Sequence, residues 1–126
     1  MTDLSLDEEA KKLLDALAQA LSGITSQNDG KGNLKYELKE VSPFVKPLLK
    51  TVGLLDWNFT VWMWNTSFKW KKLPGPVNII PISNISDSAR SEPGGAFKHG
   101  IMRRIDGEVT VEPRLAAIFA VPPIIS

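Results

Sequence analysis

The sequence predicts a mainly β domain, either a β-sandwich or a small barrel, with an amphipathic α-helix at its N-terminus. Leucine and alanine recur at helical spacing in the first 22 residues, and several short segments rich in β-branched and aromatic residues follow. Proline, glycine and asparagine separate those segments. Short strands punctuated by turn residues are typical of sandwiches and barrels, whereas parallel α/β folds alternate strands with helices. The length of 126 residues fits one domain covering residues 1–126.

The helix is expected over residues 6–22. Ser5 and Glu8 have the spacing of a capping box, and Gly23 offers a stop. The apolar residues fall on one face at spacings of three and four and include a candidate membrane- or partner-binding stripe, Leu13, Leu14, Leu17 and Leu21.

A flexible loop is expected over residues 25–33, followed by a β-rich body over residues 34–122. Apolar and charged residues alternate in 34–41, which indicates a half-buried strand. Ser42-Pro43 could then begin a short helix through Thr51, although Pro47 would remove one of its hydrogen bonds.

The segment 54–70 has strand-forming composition, but its apolar face changes partway along. Trp57 and Phe59 share one parity, whereas Trp62, Trp64 and Trp70 share the other. A regular strand cannot exchange its faces, so the pattern requires a bulge, a hairpin turn near Asn65-Thr66, or burial on both sides.

Further strands are expected towards the C-terminus. Residues 77–85 are apolar, and Pro81 restricts them to an edge strand or a bulge. Residues 86–95 have the composition of a loop, and Asp106-Gly107 indicates a tight hairpin between 96–105 and 108–111. The continuous apolar run 115–121 predicts a strand covered on both faces.

Composition excludes several classes of function. The chain has no cysteine, so thiolate chemistry and disulfides are absent. A net charge of +1 argues against nucleic acid as a partner. Neither a secretory signal nor a membrane-spanning run is visible, and we expect a soluble protein.

We expect a protein that is not an enzyme and uses no cofactor or metal. His99 is the sole histidine, and it is interpreted as a surface or hairpin residue. Ser86, Asp87 and Ser88 could in principle complete a triad with His99, but no nucleophile elbow accompanies them.

The least ordinary feature lies between Asp56 and Asp87, where the sequence contains no acidic residue. This segment holds what we call the Trp strip, which consists of Trp57, Trp62, Trp64 and Trp70 together with Lys69, Lys71 and Lys72. Three interpretations are open: core tryptophans, a stacking face for sugars or nucleobases, and a membrane-interface patch. The absence of acids favours the third.

A short phrase near the C-terminus resembles actinoporin-like cytolysins. Arg114 to Pro122, RLAAIFAVP, is similar to a strand phrase of that family, and the strand and turn from Gly100 to Gly107 resemble it as well. The resemblance implies a cysteine-free β-sandwich whose N-terminal helix detaches and inserts into lipid. In that family the phrase leads to an aromatic head-group site, whereas here Pro123-Ile124-Ile125-Ser126 follows, so no head-group residues carry over.

The leading functional hypothesis is therefore a non-enzymatic membrane- or lipid-surface-binding protein, with pore formation as its strongest form. The helix stripe would insert, Trp62, Trp64 and Trp70 would anchor, and the lysines of the Trp strip would attract anionic head groups. The alternative is a structural or assembly subunit, possible as a homo-oligomer, that meets protein partners through exposed strands and the Trp strip.

Overall fold

The computed structural model describes residues 1–70, 75–82 and 86–123, which form three layers. Two helices pack on one face of a large β-sheet, and a smaller sheet packs on its other face. The predicted fold class, mainly β in a sandwich-like arrangement with an N-terminal helix, is confirmed.

The elements follow one another with short connections. In chain order they are β1 (Thr2–Ser5), α1 (Glu8–Ala20), a 3-10 turn (Leu21–Gly23), β2 (Ser26–Asn28), β3 (Leu34–Tyr36), α2 (Leu38–Thr51), β4 (Asn58–Trp64), β5 (Phe68–Trp70), β6 (Val77–Pro81), β7 (Arg90–Glu92), β8 (Gly95–Ala96), β9 (Ile101–Ile105), β10 (Val109–Glu112) and β11 (Leu115–Val121).

The large sheet has seven strands in the order β1-β9-β6-β11-β4-β3-β2, and all of its pairs are antiparallel. Its centre is β11, whose residues pair with β4 from Leu115↔Trp64 to Val121↔Asn58. Six of the seven residues of β11 are buried, which confirms the prediction of a strand covered on both faces. The smaller sheet has four strands in the order β5-β10-β7-β8.

The helical layer covers the large sheet through apolar stripes. α1 begins after Asp7, whose side chain accepts a hydrogen bond from the N–H of Ala10 at 2.8 Å. The predicted capping box is therefore wrong, because Ser5 ends β1 and the cap lies two residues later. The predicted helix itself is confirmed with narrower bounds.

The second helix starts earlier than the sequence suggested. The expected strand over 34–41 ends at Tyr36, and α2 occupies Leu38–Thr51. Its buried residues recur at helical spacing and are Val41, Val45, Leu48 and Leu49. Burial of this apolar face stabilises a helix more than the alternation of apolar and charged residues in 34–41 stabilises a strand. Pro43 and Pro47 lie inside this helix and lack the N–H that would bond a carbonyl group of the preceding turn. Both prolines are exposed, so water can bind those carbonyl groups instead.

The expected loop over 25–33 is ordered in part. It contains β2, which pairs with β3 from Ser26↔Tyr36 to Asn28↔Leu34. A turn follows, in which the Asp29 N–H donates to the Asn33 carbonyl at 3.0 Å.

Two predicted strand arrangements are wrong. β9 and β10 flank Asp106-Gly107 but do not pair, because β9 belongs to the large sheet and β10 to the smaller one. Gly107 does have the expected positive φ of 88°, and its turn carries the chain between sheets instead of closing a hairpin. The expected loop over 86–95 also contains β7 and the start of β8.

Pro81 does not lie on an edge strand, because β6 sits between β9 and β11. The N–H of Ile82 donates to the carbonyl of Ala116 on β11. Successive residues of a strand direct their backbone groups to opposite neighbours, so the nitrogen of Pro81 points towards β9. The ladder to β9 covers only Val77 to Ile79, and the missing N–H of Pro81 therefore costs no ladder bond. Residues 83–85 of the predicted strand lie outside the described residues.

Candidate interaction surfaces

The aromatic part of the Trp strip lies largely inside the molecule. Trp64 is only 2% exposed and stacks on Trp62, with ring centroids 4.5 Å apart. Trp70 meets Phe119 of β11 edge-on at 4.8 Å. These rings fill the space between the two sheets, with Trp62 and Trp70 half-buried at its margin. The change of face in the sequence arises because β4 is buried on both sides and the chain changes sheet after Trp64.

The fourth tryptophan belongs to a different place. Trp57 packs on the helix side of the large sheet, where the guanidinium of Arg104 lies 5.3 Å from its ring centroid. The four tryptophans therefore do not form one surface.

The lysines of the Trp strip have an acidic neighbour in space. Lys69 is exposed, and its Nζ lies 3.8 Å from a carboxylate oxygen of Glu108 on the loop before β10. The acid-free stretch of sequence thus meets an acid from another part of the chain. Lys71 and Lys72 lie outside the described residues.

The leucine stripe of α1 faces the core. Leu14 and Leu17 are fully buried, and Leu13 and Leu21 pack on the same cluster from its rim. The stripe meets α2 and the large sheet, so its apolar surface is already covered. In the described part of the chain, no helix has both the length and the apolar character to cross a membrane.

Contacts on both sides of Asp7 hold α1 in place. Leu6 donates its N–H to the carbonyl of Gly100 at 2.9 Å, and before it β1 pairs with β9 from Thr2↔Arg104 to Ser5↔Ile101. Beside the helix, His99 Nε2 lies 3.5 Å from the Asp15 carboxylate. The sequence placed His99 on the surface, and the structure gives it this neighbour on α1.

One of the strands that sequence reasoning missed, β1, forms one edge of the large sheet. All four of its residues are exposed, and Leu4 retains 50% exposure. Among the described residues it is the longest of the four edge strands, since β2 and β5 have three residues and β8 has two. The sequence signal for this strand was the alternation in Thr2–Ser5. A segment of four residues is too short to distinguish a strand from the residues that precede a helix.

The outward-facing backbone groups of β1 can be assigned from its pairing. In an antiparallel ladder, alternate residues bond to the partner strand and the residues between them point away. Leu6 continues the register opposite Gly100 and bonds to it, so Thr2 and Leu4 also face β9. The N–H and C=O groups of Asp3 and Ser5 therefore point away from the sheet.

The turn between β2 and β3 forms a separate polar cluster. The Asn33 side chain is buried, accepts hydrogen bonds from the N–H groups of Asn65 and Thr66, and donates to Asp29 at 3.0 Å. This bond from Asn33, with one from the Lys31 N–H, holds the pKa of Asp29 below its ordinary value. The cluster joins the turn between β2 and β3 to the connection between β4 and β5.

Comparisons with known proteins leave the chain without a family assignment, since no family model, curated protein or solved structure matches it.

Proposed function

We propose that this protein is a non-enzymatic assembly subunit that associates with a second copy of itself through β1. The observation that supports the proposal is an exposed four-residue edge strand held in fixed register by β9. Such an edge presents a row of backbone donors and acceptors to another chain.

The edge lacks several of the features that usually protect an edge strand. Its sequence, TDLS, contains no lysine and no proline, and its ladder to β9 runs without a bulge. Its one charge, Asp3, is engaged by Arg103 at 2.9 Å. Two exposed apolar side chains, Met1 and Leu4, accompany the strand.

An antiparallel two-fold pairing satisfies the outward groups of both copies. Asp3 of one copy stands opposite Ser5 of the other, and these residues exchange backbone hydrogen bonds. Leu4 then faces Leu4 of the second copy at the close, non-hydrogen-bonded position, where cross-strand side chains are in contact. This register covers the exposed leucines and keeps the two Asp3 carboxylates from facing each other. The same patch on both subunits gives a closed dimer.

The membrane-binding hypothesis remains a prediction, and it requires more rearrangement. Leu14 and Leu17 would have to leave the core, and the buried Trp64 could anchor lipid only after the sheets separate. The pairing of β1 would also resist departure of the N-terminal segment. We therefore place assembly first.

The absence of native cysteine makes a direct experiment possible. A Leu4→Cys variant puts a single thiol at the two-fold axis, at a separation across paired strands that suits a disulfide. We expect a disulfide-linked dimer under mild oxidation. The matched control is Gln27→Cys on β2, an exposed residue at the opposite edge, which should stay monomeric.

Sedimentation equilibrium of the native chain completes the test. A small edge-to-edge contact should give weak, reversible dimers, and Leu4→Lys should shift them to monomers. Leu55→Lys changes an equally exposed leucine elsewhere and should leave the dimers intact. The proposal would be contradicted by a native chain that stays monomeric at high concentration. It would also be contradicted if the Leu4→Lys variant formed dimers to the same extent as the native chain. Vesicle binding by the native chain would favour the membrane hypothesis instead.

A further inference from the structure

The chain contains two Asp-Gly sequences, Asp29-Gly30 and Asp106-Gly107, and no Asn-Gly sequence. An aspartate that precedes glycine can close a cyclic imide, because its carboxyl carbon lies within reach of the next backbone nitrogen and glycine has no Cβ to hinder the approach. The carboxyl group and the backbone N–H must both be accessible for this reaction. The surroundings of each sequence therefore decide whether it reacts in the folded protein.

Both reacting groups of Asp29-Gly30 are held by hydrogen bonds. The Gly30 N–H donates to Asn28 Oδ1 at 2.8 Å. One carboxylate oxygen of Asp29 accepts from the N–H groups of Lys31 and Asn33, and the other accepts from Asn33 Nδ2 at 3.0 Å. These bonds hold the pKa of Asp29 below its ordinary value, which disfavours the protonated carboxyl group from which water can leave. Ring closure at Asp29 therefore requires several hydrogen bonds to break.

The second sequence lies in the short connection between β9 and β10. Asp106 and Gly107 are both exposed. Among the described residues, none bonds to the Asp106 carboxylate or accepts a hydrogen bond from the Gly107 N–H. A Cβ at position 107 would meet no atom within 4 Å, so the space beside this backbone is open. The two Asp-Gly sequences thus share their chemistry and differ in how the fold engages them.

We infer that Asp106-Gly107 is a site of spontaneous isomerisation of aspartate to isoaspartate in the folded protein, whereas Asp29-Gly30 is protected. The Gly107 nitrogen bonds to Cγ of Asp106 and loses its proton, and the carboxyl OH leaves with that proton as water. Water then opens the cyclic imide. Cleavage at the original main-chain carbonyl gives isoaspartate, in which the main chain continues through Cβ and Cγ and the α-carboxylate is free.

The product changes the connection between the two sheets. β9 belongs to the large sheet and β10 to the smaller one, and isoaspartate lengthens the main chain between them by one atom. The charge of the residue is retained, so the modification alters backbone geometry and not the net charge. The inference does not depend on the proposed assembly, because both reacting groups belong to one chain and lie outside β1.

Incubation of the full chain at neutral pH tests the inference, with one sample native and one in concentrated urea. The tryptic peptides 105–114 and 13–31 contain one Asp-Gly sequence each. Isoaspartate is measured by enzymatic methylation of its free α-carboxylate and located by fragmentation of the peptides. In the native sample it should accumulate at Asp106 at least about tenfold faster than at Asp29, because ring closure at Asp29 must first break hydrogen bonds. In urea the two rates should become comparable, because those bonds are lost.

Two matched variants assign the signal. Asp106→Glu keeps the negative charge but would have to close a larger ring, so isomerisation in peptide 105–114 should fall to background. Asp29→Glu makes the same change at the protected sequence and should leave the native yield at Asp106 unchanged. Both side chains are exposed, so neither variant disturbs the core.

Three results would overturn the inference. One is an absence of isoaspartate at Asp106 in the native chain under conditions that produce it in urea. Another is equal accumulation at Asp29 and Asp106 in the native chain. The last is a native preference for Asp106 that persists undiminished in urea, since the difference would then come from the local sequence and not from the fold.

Discussion

The guanidinium of Arg103 donates two hydrogen bonds to the carboxylate of Asp3, from Nε at 2.9 Å and from Nη2 at 3.3 Å, across a separation of 100 residues. The same side chain donates to Ser91 Oγ and to the carbonyls of Gly95 and Ala96. Arg103 is only 4% exposed. One buried cation therefore ties the first strand of the large sheet to the edge of the smaller one.

Replacing Asp3 by Ala should lower the free energy of unfolding by about 1–3 kcal/mol, because a buried charge loses its ionic partner while keeping its other acceptors. Urea denaturation measures the change. Glu8→Ala provides the control, since Glu8 pairs with Lys11 on the surface at 3.7 Å and should contribute no more than about 0.5 kcal/mol. Equal effects of the two variants would contradict a special role for Asp3.

Truncating Leu14 to Ala should cost about 2–5 kcal/mol, the usual range for a fully buried leucine. Leu55→Ala, at an exposed position, should cost less than about 0.5 kcal/mol. The contrast is read from thermal or urea unfolding. A mild effect of Leu14→Ala would mean that α1 leaves the core readily, as the membrane hypothesis requires.

Deletion of residues 1–24 offers a sharper test of the same helix. The deletion removes β1 and α1 and uncovers the core residues beneath them. We now expect the truncated chain to lose cooperative unfolding, as followed by circular dichroism. A truncated chain with native-like unfolding would show that the helical layer is dispensable.

Substituting Gly107 by Val should destabilise the fold by about 1–3 kcal/mol, because a β-branched residue must adopt the φ of 88° observed there. A Cβ at this position meets no atom within 4 Å, so the cost comes from the backbone and not from a clash. Gly23 also has open space but no positive φ, and Gly23→Val is the matched control. Similar denaturation midpoints for both variants would exclude a backbone effect at Gly107.

The lowered pKa of Asp29 predicts a specific acid response. Because its folded-state pKa lies below the ordinary value of 3.8, the unfolded chain takes up this proton first as the pH falls. Its contribution is present above pH 3.8 and is lost as the pH falls through the folded-state pKa. Carboxyl NMR titration should show the low pKa, and Asn33→Ala should return it towards 3.8. An ordinary titration in the native chain would contradict the hydrogen bond from Asn33.

Local pattern was sufficient for the features that depend on local geometry. The stripe through Leu14 and Leu17 identified the first helix, and the continuous run at 115–121 identified the central strand. The positive φ at Gly107 also follows from local turn chemistry. Of the three explanations offered for the change of apolar face, burial on both sides applies to β4, and the chain then passes into β5 of the other sheet. Each of these follows from the spacing of side chains along a helix or strand, or from the steric freedom of glycine.

Only the tertiary structure decided which segments pair and which side chains remain outside. β9 and β10 are neighbours in sequence but lie in different sheets, and β1 pairs with a strand near the other end of the chain. Burial of Trp64 and exposure of Leu4 both follow from that pairing. The physical reason is that a hydrophobic pattern states how many faces of a segment must be covered but not what covers them. That choice depends on contacts between residues far apart in sequence, as with Asp3 and Arg103.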